Sequence, residues 1–208
     1  MSADNLREAL VEEIRDLYNA EKQLVKALPK MAKGAENDEL REAFERHLEE
    51  TEGQVTRLER VFELLDEKPR GKHCAGMAGI VEEGSEKLQE DLDGAVLDAV
   101  LIASAQKVEH YEIGGYGTAI AWAEALGLTD VAQVLNETLE EEKAADEKLS
   151  ALAESGINAA ATAGESEESE DMEEDEEEAP MTRASRGRGQ QEQAPASARS
   201  ARARGGRR

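Results

Sequence analysis

Several familiar kinds of protein are excluded by what this chain has little of. It holds a single cysteine, Cys74, so no intrachain disulfide can form and neither a four-cysteine zinc site nor a CxxC redox pair is available. Aromatic residues number only six, far fewer than a β-rich core of this size would use. Basic residues are also scarce, with 25 Lys and Arg against 48 Asp and Glu and a net charge of −23. A body of that sign repels phosphate, and nucleic-acid binding needs Lys and Arg clustered on one face. No stretch approaches the roughly 18 consecutive apolar residues that would span a bilayer. The opening Met-Ser-Ala-Asp-Asn-Leu-Arg-Glu has no apolar signal region. The expectation is a soluble cytoplasmic protein with no membrane partner. The acid excess itself names no ligand, since a solvated acidic surface accounts for surface Glu residues.

What remains is rich in Ala, Glu and Leu, a composition of long helices. A length of 208 residues supports one domain plus tails. The first helix is expected to begin near Asp4 or Asn5 and to carry Leu10, Ile14, Leu17, Leu24, Leu28 and Met31 on one face, with Glu21 filling the one gap in the series. Beyond Lys33-Gly34 a second helix is marked by Leu40, Phe44, Leu48, Val55, Leu58, Phe62 and Leu65, up to Lys68-Pro69-Arg70-Gly71. Residues 71–94 read as a crossover with a short helix around Ile80, Val81 and Leu88. A third long helix covers about 95–125 and breaks at Gly127, and a fourth runs from Val131 through Leu135, Leu139 and Leu149 to Leu152.

The two hairpins repeat each other. When Glu21 is placed over Glu109, Ile14, Leu17, Leu24 and Leu28 fall on Ile102, Ala105, Glu112 and Tyr116. When His47 is placed over Thr138, Phe44, Leu48, Thr51, Val55 and Leu58 fall on Leu135, Leu139, Glu142, Asp146 and Leu149. The fold class is therefore all-α: an antiparallel four-helix bundle of two hairpins joined by a long crossover, the ferritin-like layout. The bundle domain is set at residues 1–157. From 158 to 208 the apolar period is lost: residues 165–178 hold eleven acids and residues 183–208 eight arginines. Such a tail buries too little apolar area to offset chain entropy, so disorder is expected. Its Arg-rich end is the one part of the chain that could touch nucleic acid, or it could fold back on the acidic run.

A carboxylate in a helix core must be neutralised, paired or metal-bound. Glu21, Glu109, Glu112, Glu142 and Asp146 fall on inward or near-inward positions, with few Lys or Arg close in register. Hard cations take oxygen ligands, and carboxylates from facing helices can bridge two metal ions. Di-iron carboxylate bundles also use a Glu-x-x-His pair on each of two helices. Neither Glu50 nor Glu142 has a His three residues on. His47 lies three residues before Glu50 on the same face and could ligate in reversed order, or be a satisfied or surface His. His110 points about 100° away from Glu109. Tyr18, Tyr111 and Tyr116 read as packing residues, and Cys74 beside His73 as a coincidence rather than a metal pair.

Four segments, Tyr18-Asn19-Ala20-Glu21-Lys22-Gln23-Leu24, His47-Leu48-Glu49-Glu50-Thr51, Gln106-Lys107-Val108-Glu109-His110-Tyr111-Glu112-Ile113 and Glu137 to Asp146, resemble in order the YciE/YciF family of ferritin-like bacterial stress proteins. The resemblance covers about residues 5–157. It implies a rubrerythrin-like bundle with a di-metal cofactor, iron or alternatively manganese, a homodimer, and a ferroxidase or stress role. Carried over by motif, the metal residues are Glu21, Glu50, Glu109, Glu112, Glu142 and Asp146. The rival expectation is a non-enzymatic helical stress or interaction protein with a structural divalent ion.

Overall fold

Asn5 opens the first helix by accepting a hydrogen bond from the Glu8 amide, and α1 then runs Leu6–Gly34. Asn37 does the same for α2, Asp38–Leu64, whose first turn carries Asp38 and Glu39 where the helix dipole favours acids. The crossover helix α3 spans Ala75–Lys87, α4 Gly94–Ala125 and α5 Thr129–Leu152. This computed structural model describes residues 5–163, and no strand occurs among them. The expectations for 158–208 therefore lie almost wholly outside the described residues.

The C-terminal ends of α2 and α4 close alike. The Glu67 amide bonds the Phe62 carbonyl across Asp66, and the Leu128 amide bonds the Ala123 carbonyl across Gly127, with φ 55° at Asp66 and 72° at Gly127. Glycine is free in that region, and Asp tolerates it better than most residues. Because the chain turns at Asp66, α2 ends short of the Lys68-Pro69 stop read from the sequence. The end of α5 differs as well: past Leu152 the chain kinks at Gly156, whose backbone is not helical, and continues helical over 158–163. Ile157 is buried there, beyond the last position of the apolar period.

Each long helix neighbours two others: α1 packs on α2 and α4, and α5 on α4 and α2. Short turns make α1–α2 and α4–α5 antiparallel; Tyr116 bonds Glu21 while Asp98 bonds the Glu36 amide, and Gln54 bonds Glu142 while Arg57 bonds Thr138, so α1–α4 and α2–α5 run antiparallel as well. The crossover must then travel the length of the bundle, and it does so against α1 and α4. The first long motif anchors it. Asn19 Oδ1 accepts from the Cys74 amide at 2.8 Å, and Gln23 donates to the Cys74 carbonyl at 3.1 Å. The buried Cys74 thiol caps α3 and meets the Tyr111 hydroxyl, which donates to Asp16. Burial, then Asp16, push that thiol up, so it is a weak nucleophile. At the far end Asp98 of α4 accepts from the Glu36 and Asn37 amides at 2.9 and 2.8 Å, locking the α1–α2 turn to the second hairpin.

The core is split in two. One apolar cluster gathers Leu24, Leu28, Phe44, Leu101, Ile102 and Leu149, and the other Ile14, Leu17, Phe62, Tyr116 and Leu135. Between them, at mid-height, lies a layer of buried polar side chains: Glu21, His47, Thr51, Gln54, Glu109, Glu112, Thr138 and Glu142.

Candidate metal centre

Every helix of the bundle sends a side chain to this layer. Glu21 comes from α1, His47 from α2, Glu109 and Glu112 from α4 and Glu142 from α5. Glu109 and Glu112 share one face because they lie three residues apart. One ligand-capable atom each from His47, Glu109, Glu112 and Glu142 falls within 4.8 Å of the others. His47 Nε2 stands 3.4 Å from Glu109 Oε1 and 3.7 Å from Glu142 Oε2, at distances suited to sharing an ion.

Hydrogen bonding within the layer is incomplete. Glu21 Oε2, His47 Nε2, Glu109 Oε2, both Glu112 oxygens and Glu142 Oε2 are buried without a hydrogen-bond partner. Buried polar atoms are normally satisfied, and a cluster of unsatisfied ones that all carry lone pairs or negative charge fits a cation. Four carboxylates balance two divalent ions in charge, and oxygen donors with one imidazole suit iron or manganese. Without a cation the layer resists ionisation. Burial, then the Glu142 charge, pushes Glu21 well above the usual carboxylate range, and burial, then hydrogen bonding with Glu142, does the same to Glu109. Burial, then Glu21, does the same to Glu112.

Around the five sit groups that hold them. The Tyr116 hydroxyl donates to Glu21, and burial together with that carboxylate pushes the phenol far up. Gln54 donates to Glu142 and, at 3.1 Å, to Glu141, which Arg57 grips with both guanidinium nitrogens. Arg57 also donates to Thr138 at 3.1 Å, and Thr51 bonds back to the His47 carbonyl at 2.7 Å. Outer partners of this kind orient metal ligands. The supporting roles of Gln54, Thr51 and Arg57 carry no sequence motif, although His47, Thr51 and Gln54 recur at helical spacing as polar residues on the buried face of α2. Tyr116 packs as expected and also holds Glu21.

Two expected residues stand apart. Glu50 is half-exposed, its Oε2 lying 3.4 Å from His47 Nδ1, and this contact pulls its pKa down. Asp146 faces sideways, accepting from Gln106 at 3.2 Å and lying 3.3 Å from the exposed His110. The near-inward register of Asp146 places its carboxylate at the α4–α5 seam, outside the His47–Glu109–Glu112–Glu142 group. His73 is exposed while Cys74 is buried, so the two do not form a pair.

A domain family described as a domain of unknown function, DUF892, matches residues 5–162. The chain belongs to this family. Among DUF892 relatives, Protein YciF of Escherichia coli K12 is 45% identical over 159 residues, covering 76% of this chain and 96% of its own. The crystal structure of the E. coli stress protein YciF superposes with a TM-score of 0.73 at 44% identity, over 75% of this chain and 99% of that one. YcfI of Rhodopseudomonas palustris gives 0.70 at 47% identity, over 72% and 97%. A Xanthomonas campestris protein gives 0.61 at 25%, over 78% and 99%. Among the described residues, no helix of this DUF892 member is long and apolar enough to cross a membrane.

Proposed function

We propose that this protein is a ferritin-like di-iron carboxylate protein that oxidises Fe(II) with O₂ or peroxide as part of a cytoplasmic stress response. The observation that carries the reading is the set of six unpartnered ligand atoms on Glu21, His47, Glu109, Glu112 and Glu142, buried at the mid-height of the bundle. Glu21, Glu109, Glu112 and Glu142 would supply the oxygens and His47 the nitrogen, with manganese the alternative occupant. Bound iron supplies one-electron chemistry toward oxygen or peroxide. The chain's part is to keep the carboxylates aligned through Gln54 and Tyr116, to neutralise the ions, and to exclude bulk water with the two apolar clusters. The expected stoichiometry is about two Fe per chain. Aerobic Fe(II) titration followed in the near ultraviolet tests the reading; wild-type oxidation rates in a Glu21→Ala, Glu109→Ala double variant sink it.

A homodimer built on a bundle of residues 1–157 belongs to the same proposal, as the family resemblance implies, and sedimentation equilibrium of the purified chain checks it. A second reading rests on Thr51 and Gln54. They stand three residues apart on the buried face of α2, the spacing that a Glu-x-x-His pair would use, and neither carries charge. That poorer ligand set favours a non-enzymatic protein with a structural divalent ion. A melting temperature raised by Fe(II), with no oxygen-dependent absorbance, supports this second reading.

A further inference from the structure

The layer is closed on most sides. The two apolar clusters seal the bundle above and below it, α3 covers the α1–α4 side, and Glu21, Glu112 and Glu142 have no exposed surface. A cation cannot cross the apolar clusters, because it would shed its water with nothing to replace it. On the α2–α5 side the packing opens. A cavity of ≈ 470 Å³ is lined there by Ala43, Phe44, Ala144 and Leu149, with the buried His47 and Glu109 on its wall and Glu50 also lining it. An ion with six waters needs only about 180 Å³ at the volume water occupies in the liquid.

We propose that this cavity is the port through which divalent cations reach the buried layer, with Glu50 taking the hydrated ion at the mouth and passing it inward to Glu109. The inference rests on the metal-binding reading above and goes beyond it by assigning a route and a transfer residue. Glu50 stands where solvent and the layer meet. Its side chain is 36% exposed, yet one oxygen lies 3.4 Å from His47, whose other ring nitrogen lies 3.4 Å from Glu109. Glu50 at the solvent edge and the buried His47 and Glu109 thus line one and the same opening to the layer. Two basic residues also line the cavity, Arg46 and Lys148, but Glu50, Glu109, Glu140 and Glu141 on its walls outnumber them, and Arg46 reaches Glu50 only at 3.9 Å from a side chain that is 58% exposed. On the same seam Gln54 and Arg57 bond Glu141, which also lines the cavity.

The test uses Co(II) alone and the full-length chain, with loading followed by stopped-flow absorbance, release followed into excess chelator, and bound metal counted after equilibrium dialysis. Glu50→Gln is expected to slow loading about tenfold, the lower end of what a focusing carboxylate contributes to a cation's arrival. Release should slow by a similar factor, because a port residue acts on the barrier in both directions, whereas loss of a resident ligand speeds release. Glu50→Asp should recover part of the rate. Ala144→Trp, a change at an exposed position on the rim, should slow both directions without any change of charge. Wild-type loading rates in both Glu50→Gln and Ala144→Trp overturn the port while leaving the metal centre standing. Failure of the wild-type chain to take up any Co(II) overturns the metal centre and the port together.

Discussion

In the first hairpin the mid-height layer is met by Glu21, His47, Thr51 and Gln54; in the second it is met by Glu109, Glu112, Thr138 and Glu142. The duplicated register pairs Glu21 with Glu109, Leu24 with Glu112, His47 with Thr138 and Thr51 with Glu142. Two equivalent frames have therefore been filled differently. The second supplies three of the four carboxylates, while the first supplies one carboxylate, one imidazole and the neutral Gln54 that holds Glu142. Leu24 sits in an apolar cluster and its partner Glu112 has no hydrogen bond to either oxygen. A register that can carry either residue shows that the carboxylates are not a requirement of the fold. They cost stability in the metal-free protein, and a bound cation would offset that cost.

The largest effect is expected from emptying the second hairpin of its carboxylates. Glu112→Ala with Glu142→Ala should abolish detectable Co(II) and Fe(II) binding by calorimetry while the helical circular dichroism persists; retained stoichiometric binding contradicts the assignment. Making the hairpins alike at one position, by Glu112→Leu, should weaken metal binding severely and raise metal-free stability by about 1–3 kcal/mol, since an apolar residue replaces an unsatisfied buried carboxylate. A fall in stability in urea titrations would mean that Glu112 has a partner in the free protein. The hairpins also interlock away from the layer. Asp98→Ala removes two charge-assisted bonds to the α1–α2 turn and should cost about 2–3 kcal/mol in the same titrations, with metal affinity nearly unchanged.

Removing the first hairpin's support without touching a ligand is a milder change. Gln54→Ala frees Glu142 and should lower metal affinity about 10- to 100-fold, measured by competition with a chromogenic chelator. The smallest effect is on pH dependence. Glu21, Glu109 and Glu112 have folded pKa values above their unfolded ones, so their stability contribution is full below the ordinary carboxylate pKa and is lost as pH rises through the folded values. The melting temperature of the metal-free protein should fall as pH rises above the ordinary carboxylate pKa, less steeply in Glu112→Leu and least when metal is present. A flat profile in the metal-free wild type would show that these groups titrate normally.

Much of this was legible in the chain. The apolar series on α1 reads straight through to buried residues, and Glu21 in its gap is buried as that gap requires. The weak stripe on α4 had less to say, because this helix packs against α1, α3 and α5 and so has buried positions on several faces. Periodicity could also place Asp146 only near the interior, since a few tens of degrees of helix rotation separate the seam beside Gln106 from the layer. Gln54 is silent in the sequence for a different reason: a neutral polar residue on a helix face carries no mark of burial until the facing Glu142 is known.

The sequence by itself determined four long helices, two short-looped hairpins, a crossover and the presence of carboxylates on inward faces, because helical period and caps are local properties of the chain. The tertiary structure decided which of those carboxylates share a layer, that His47 joins them while Glu50 stays at the cavity and Asp146 at the seam, and that the layer opens between α2 and α5. Those outcomes depend on the rotation and height of each helix against its neighbours, which only the packing of all four sets.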